Sequence, residues 1–280
     1  MKFQVVYKKS EWELRQNSSD EHIRKLIKEN GPAVGRWKKS HETQSRSLDL
    51  VIKALDELGA NYDSYYRAHL DGEIDADVVI AVGGDGTVLE TSHYVKDAKI
   101  LGVNSDPEMS VGYFSLTHAG GFKNNLENIE DIPVTHLQRM QVAKDGWTIP
   151  ELVLNDVFLA DKEPAATSRY KMGEKRFKDS GHLICTAAGS TAWMYQVGGN
   201  PMHISNTKFQ HRALGLRNAK SEYADNLAIT SLMREGMMHI DGPHIKYKFP
   251  MGTVVEISAG KPLQLFGDLE AKRMDFLNNQ

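Results

Sequence analysis

Cysteine is nearly missing from this chain of 280 residues: Cys185 is the only one. A lone cysteine excludes an intrachain disulfide and argues against a cysteine-based zinc site, which suits a reducing cytosol. Any large excess of one charge is missing too, because 34 Lys+Arg stand against 37 Asp+Glu for a formal net charge of −3. Without a basic footprint, sequence-independent binding to nucleic acid is not expected. No window approaches the ~20 apolar residues of a membrane span, and the opening MKFQVVYKKS has no apolar signal core. The expectation is a soluble, uncleaved, cytoplasmic protein with neither a membrane nor a nucleic-acid partner. Two catalytic signatures are absent as well, the Gly-x-x-x-x-Gly-Lys-Ser/Thr phosphate loop and the His-Glu-x-x-His zinc pattern. Among eleven histidines, His239 and His244 are the closest suggestive pair and read as strand or hairpin residues, so no metal ligand is assigned. Cys185, with no activating pattern nearby, reads as a small packed residue.

What the chain does have is Gly83-Gly84-Asp85-Gly86-Thr87, set between an apolar run and a helical pattern. Val78 to Val82 reads as a strand buried on both faces, as in a parallel sheet. Val88 to Val95 can form one short helix, and Lys99 to Asn104 returns as a second strand, completing a βαβ unit. Three glycines let the backbone turn sharply and bring its N–H groups to an anion, and Thr87 is placed to cap the helix behind them. Asp85 is the first catalytic candidate. A carboxylate at a phosphate loop is unfavourable unless it takes a proton, meets a metal or orients a hydroxyl.

The pattern alternates through residue 132. Phe3 to Tyr7 reads as a strand, and Ser19 or Asp20 caps a helix that Gly31-Pro32 ends. Leu48, Val51, Ile52, Leu55 and Leu58 recur at helical spacing over 40–58, with Gly59 as a left-handed terminator. A helix over Gly121 to Ile132 closes this half. Strands and helices alternating in this way predict an α/β domain over 1–132 with a largely parallel sheet. After Pro133 short alternating runs take over: Leu137 to Val142, Leu152 to Leu159, His182 to Thr186, His239 to Ile240 and Val254 to Ile257. Lys144-Asp145-Gly146 and Met172-Gly173-Glu174 read as hairpin turns between them. A β-rich domain over 133–262 is therefore expected, with 263–280 as a C-terminal segment that can return to the first domain. With no repeat or low-complexity linker, the halves are expected to pack and leave a ligand cleft. The densest basic stretch, Arg169 to Lys178, reads as a solvated hairpin; Arg169, Lys175 and Lys178 could equally meet phosphates.

A second cluster of small and hydroxylic residues is Thr186-Ala187-Ala188-Gly189-Ser190-Thr191-Ala192-Trp193. It permits close backbone approach, with Ser190 and Thr191 offering hydroxyls and amides and Trp193 able to cover a base or ribose; a tight turn against the core is the plainer reading. In Leu154-Asn155-Asp156-Val157 an amide and a carboxylate interrupt an apolar strand and need partners, which ribose hydroxyls or a neighbouring turn could supply.

In order and spacing these three elements resemble the NAD kinase family, whose pattern is a Gly-Gly-Asp-Gly-Thr loop, an Asn-Glu pair and a Gly-Ser-Thr-Ala-Tyr segment. The motif match runs from about Asp75 to Gly199. Leu101 to Pro107, Pro164 to Arg169 and Cys185 to Ala192 are similar to the branch of plant NADH kinases and mitochondrial NAD kinases. The resemblance implies a phosphofructokinase-like α/β domain before a β-rich one, and ATP-dependent phosphorylation of the adenosine-ribose 2′-hydroxyl of NAD or NADH. It implies Asp85 as proton acceptor for that hydroxyl, with Gly83, Gly84, Gly86 and Thr87 forming the loop around the nucleotide. Asn155, Asp156, Gly189, Ser190, Thr191, Ala192, Trp193 and Asp241 then stand at dinucleotide-binding positions. The chain departs from the family in three places: Ser180 replaces a carboxylate that contacts the dinucleotide, Asp156 replaces Glu, and Trp193 replaces Tyr. Mg²⁺ or another divalent cation is expected to arrive with ATP, with no dedicated protein cage, and a homodimer or larger homo-oligomer is implied. Two rivals share parts of the pattern, a lipid or sugar kinase with the same glycine loop and an NAD(H)-binding sensor without turnover.

Overall fold

The protein is described by a computed structural model covering residues 1–278. It divides into two compact units, Met1–Thr135 with the chain from Gln264 onward, and His136–Leu263.

The first unit is built on a parallel sheet. Strand Lys2–Tyr7 pairs with Asn61–Tyr66 on one side and with Val78–Gly83 on the other. Val78–Gly83 pairs in turn with Lys99–Asn104, whose far edge takes Gln264 and Leu265, also in parallel. Every residue of Val78–Gly83 is buried, as a continuous apolar run in a covered parallel strand requires. Helices Pro32–Glu57 and Ala119–Glu127 place Val51, Leu55, Phe122 and Leu126 against Phe3, Val5, Ile80 and Leu101. At ~1.5–3 kcal/mol for each large apolar side chain buried, this layer contributes substantially to the unit's stability.

The strand order has a consequence for function. The chain leaves Lys2–Tyr7 toward one edge of the sheet and returns on the opposite side of the same strand, so the direction of winding reverses between Lys2–Tyr7 and Val78–Gly83. In open α/β sheets ligands bind at that point, beyond the carboxyl ends of the strands. Lys8 and Gly84 are the residues that follow those two ends.

Three expectations are corrected in this unit. Pro32 opens the long helix at its first turn, where a missing N–H costs nothing, so this helix starts well before residue 40. The preceding helix, Glu21–Glu29, is capped by Asp20 and ends on Asn30 in the left-handed conformation, φ 48°. The glycine-loop helix spans Asp85–Ser92 with Gly84 as its N-cap, so Thr87 lies inside the first turn and is not the cap.

The second unit is antiparallel. One sheet runs in the order Glu222–Ala224, Phe209–Ala213, His182–Cys185, Asp156–Asp161, Gly236–Ile240, Ile245–Lys248. The hairpin Ser168–Met172/Lys175–Asp179 pairs with Leu227–Ser231, which pairs with the start of Val254–Phe266. Val157, Leu159, Tyr170, Ile184, Phe209, Ile229, Met238 and Val255 share one core. Both expected turns are present, with Asp145 at φ 51° and Gly173 at φ 55°. Cys185 is fully buried with Leu183 and Met194, a packed residue.

Candidate functional site

Two groups of the expected site residues exist, and they lie in different units: Gly83 to Thr87 in the first, and Asn155, Asp156, Ser180, Gly189 to Trp193 and Asp241 in the second.

In the first unit the loop's glycines are not equivalent. A Cβ on Gly83 would lie 2.1 Å from Thr87 Oγ1, and one on Gly84 would lie 2.5 Å from Ser110 Oγ. A Cβ on Gly86 would meet nothing nearer than Arg67 Nη1 at 4.0 Å. Gly83 and Gly84 are therefore small because the fold demands it, whereas the space beside Gly86 is open. Asp85 begins the helix, and its Oδ1 accepts a hydrogen bond from the Phe114 backbone N–H at 2.8 Å. That bond fixes the carboxylate's orientation; its second oxygen has no hydrogen-bond partner among the described residues.

Around this loop is a cavity of about 600 Å³ lined by Lys8, Lys9, Arg36, Arg67 and the segment Gly84 to Thr87, among others. Lys8 follows the first strand and Arg67 follows the second, so the fold delivers two cations to the carboxyl ends of parallel strands. The Lys8 amine is held below its ordinary value, first by burial and then by the neighbouring Arg67 guanidinium. Arg67 pairs with Glu90 at 2.9 Å and reaches Thr87 Oγ1 at 3.4 Å. Like charges crowded at a glycine loop and a helix N-terminus are the electrostatics of an anion site. Lys272, from helix Leu269–Asn278, completes the surroundings: its ammonium donates to the carbonyls of Ser115 and Gly112. Burial lowers its pKa while the charge of Asp85 raises it.

In the second unit Asp241 organises the Asn155 segment. Its Oδ1 accepts from the backbone N–H groups of Asn155 at 2.7 Å and Asp156 at 2.9 Å, and its Oδ2 from Leu154 at 2.9 Å. Gly189 packs against the same stretch so tightly that a Cβ would lie 2.3 Å from the Asn155 carbonyl oxygen. Asp156 opens its strand and is buried, with a carboxyl pushed up to about 7 by burial first and by the Asp241 charge second. It therefore does not face solvent. Near neutral pH such a group can both donate to and accept from a hydroxyl. Asn155 precedes the strand, and its buried side-chain oxygen has no hydrogen-bond partner among the described residues.

Trp193, Phe158, His239, Gly242, Pro243 and Asp156 line a cavity of about 350 Å³. Phe158 meets Trp193 edge-on with centroids 4.8 Å apart. His239 is held below its ordinary value by burial and then by Lys246, which favours a neutral ring in an aromatic pocket. Thr191 and Ala192 lead into Trp193. Ser190 is placed differently: it is wholly buried, donating to the Ala187 carbonyl and accepting from the Met202 N–H, so its hydroxyl holds the turn together. Ser180 is exposed, and its N–H donates to the Leu214 carbonyl at 2.9 Å.

Sequence reasoning passed over Lys8, Arg36, Arg67 and Lys272. Lys8 had a usable signal, a lysine directly after a buried strand; the others are brought in only by the tertiary fold. Among the described residues no cluster of His, Cys, Asp and Glu could hold a metal ion, and no helix is long and apolar enough to cross a membrane.

The model of the ATP-NAD kinase N-terminal domain matches residues 11–130. An NAD kinase of Fusobacterium nucleatum is 30% identical over 205 residues, covering 66% of this chain and 74% of that protein. A probable NADH kinase of Oryza sativa is 27% identical over 256 residues, covering 78% of this chain and 79% of the relative. The human mitochondrial NAD kinase 2 is 27% identical over 252 residues, and the match spans 57% of its length. Among solved structures, yeast NADH kinase complexed with NADH superposes with a TM-score of 0.72 at 14% identity, covering 99% of this chain and 86% of that one. An Archaeoglobus fulgidus NAD kinase in complex with ATP gives a TM-score of 0.69 at 18% identity, covering 99% of this chain and 98% of that one. At those identities the two structures speak to the fold.

Proposed function

This chain belongs to the NAD kinase family, in the branch of plant NADH kinases and mitochondrial NAD kinases, and from that membership we propose that it is an ATP-dependent kinase transferring phosphate to the adenosine-ribose 2′-hydroxyl of NAD or NADH. The observation that carries the reading is the first-unit cavity: a carboxylate fixed by the Phe114 N–H stands at a glycine loop among Lys8, Lys9, Arg36 and Arg67. The cations suit the phosphates of ATP, and Asp85 suits the acceptor hydroxyl.

Phosphoryl transfer asks the protein mainly to align acceptor and phosphate and to offset charge. Asp85 accepts the hydroxyl proton, its free oxygen being the one with no partner. In a loose transition state that proton leaves late, so orientation counts for more than basicity. The open space beside Gly86 admits the nucleotide. Asp156 exchanges hydrogen bonds with ribose hydroxyls, and Trp193 with Phe158 contacts a ring of the dinucleotide. Mg²⁺ brought with ATP would neutralise phosphate charge. Among the described residues that line the loop cavity, Asp85 and Glu11 are the carboxylates, so a hard cation there would draw most of its ligands from phosphate oxygens. A cytoplasmic location and a homodimer or larger assembly belong to the same reading.

The test is to incubate the purified chain with ATP and Mg²⁺ and either NAD or NADH, reading product with an NADP-specific dehydrogenase. Product from either acceptor supports the proposal, and the ratio gives the redox preference. Dinucleotide binding without product would favour a sensor, and phosphorylation of a lipid or sugar instead would overturn the assignment.

A further inference from the structure

The helix at the end of the chain brings two neighbouring cations to one turn of the first unit. Gly267, at φ 115°, and Asp268, whose Oδ1 accepts from the Ala271 N–H at 3.1 Å, lead into helix Leu269–Asn278. Its entry is fastened to the same unit, because the Gly267 N–H donates to the Pro133 carbonyl at 2.7 Å and the Leu269 N–H to Thr135 Oγ1 at 3.3 Å. From this helix Lys272 Nζ donates to the carbonyls of Gly112 and Ser115, and Arg273 Nε donates to Tyr113 Oη at 3.0 Å. Arg273 is only 1% exposed, and its guanidinium lies 5.8 Å from the centroid of the Tyr113 ring. Taking cations out of water is costly unless their donors are used. Here both side chains direct donors to the single stretch 112–115.

That stretch is the one that orients Asp85. The Phe114 N–H donates to Asp85 Oδ1 at 2.8 Å, and the carbonyls before and after it in the chain, those of Gly112 and Ser115, are held by one ammonium. Turning the N–H away from the carboxylate rotates the peptide planes beside it and pulls those carbonyls off Lys272. The Ser115 N–H closes the turn on the Gly112 carbonyl at 3.1 Å. The turn also lies against strand Lys99–Asn104: a Cβ on Gly102 would be 2.5 Å from the Phe114 carbonyl oxygen, and one on Gly112 would be 2.4 Å from Asn104 Nδ2. Strand packing fixes where the turn sits, and the hydrogen bonds fix how it is twisted. The Lys272 ammonium also lies in the field of the Asp85 carboxylate, so the same lysine is coupled to Asp85 by charge as well as through the turn.

We propose that Lys272 is a positioning residue for phosphoryl transfer: by holding the Gly112 and Ser115 carbonyls it keeps the Phe114 N–H on Asp85, and so keeps the carboxylate's other oxygen aimed at the acceptor hydroxyl. Its action runs through the turn, and Arg273, through Tyr113, keeps the helix in register with that turn. Alignment is what this reaction chiefly asks of the protein, so loss of the restraint slows the chemical step more than it weakens binding. The effect on rate rests on the kinase reading, whereas the restraint on the turn does not.

The experiment compares the full chain as wild type, K272M, K272R, D85N and D85N/K272M. K272M keeps the aliphatic stem and removes the donors, whereas K272R keeps charge and donors. NADP(H) formation with ATP and Mg²⁺ gives kcat and KM, hydrogen–deuterium exchange follows the Phe114 amide, and thermal melts report folding. K272M is expected to lower kcat by about 10-fold or more with KM for dinucleotide and ATP within about threefold, the scale of losing charge-assisted hydrogen bonds. Its Phe114 amide is expected to exchange about 10-fold faster, as a locally loosened turn does. K272R recovers most of kcat. Added to D85N, K272M costs little further rate, because the carboxylate it positions is gone. Wild-type kcat and wild-type Phe114 exchange in K272M overturn the proposal, and so does an equal loss of kcat in the wild-type and D85N backgrounds, which is the signature of a merely structural lysine. If melts show K272M unfolded, the milder K272Q carries the same comparison. Failure of the kinase reading shows separately, as a wild type that forms no NADP(H) while K272M still speeds exchange at Phe114.

Discussion

Asp241 lies at φ 48°, a conformation that aspartate tolerates better than most side chains, and from there it serves three consecutive N–H groups 85 to 87 residues away. Asp156, the last of the three donors, has a carboxyl that burial first and that neighbouring charge second raise from 3.8 to about 7. The sign of the pH dependence follows. Between those two values the folded state holds a proton that the unfolded chain has released, so this contribution is fully present below pH 3.8 and is lost as pH rises through about 7. Asp156→Asn removes the titration while keeping the shape. Urea unfolding at pH 5 and pH 8 is expected to show wild type losing stability over this interval, by an amount on the order of a few kcal/mol at most, and the variant losing clearly less. Equal losses would mean that Asp156 is not the buried acid. The sequence displayed both aspartates and the need of Asn155 and Asp156 for partners, yet their coupling depends on one strand end meeting another and has no local signature.

At the scale of elements, the strand, glycine loop and helix were legible because a continuous apolar run followed by glycines has few other solutions in a parallel sheet. The helix start was misplaced at Val88, since Asp85 and Gly86 read as loop residues although they form its first turn. Strand Asn61–Tyr66 went unread for a different reason: as a sheet edge it is mostly exposed, and NYDSYY carries no apolar alternation. The loop's glycines make a paired prediction. Gly83→Ala drives a methyl into Thr87 and should lower the melting temperature, with ~1–3 kcal/mol lost as in other overpacked cores. Gly86→Ala should melt close to wild type and instead raise the KM for nucleotide, because its methyl enters the open space of the cavity. Thermal melts beside steady-state kinetics decide between them. The reverse pattern would place the ligand on the other side of the loop.

At the scale of the whole molecule, the chain spends its first half and its last residues on one unit and its middle on the other. The return was only a possibility in the sequence, since 263–280 carries no local pattern that says which sheet edge its first residues join. Its consequence is chemical, because the returning helix carries Lys272 into the electrostatic field of Asp85. The account as a whole rests on Asp85 acting on the acceptor hydroxyl, and the most direct measurement compares Asp85→Asn with wild type for both NADP(H) formation and dinucleotide affinity. The expected result is a kcat at least ~10²-fold lower, as for loss of a positioned general base, with the dissociation constant changed by no more than about threefold. A variant that turns over at the wild-type rate would contradict it.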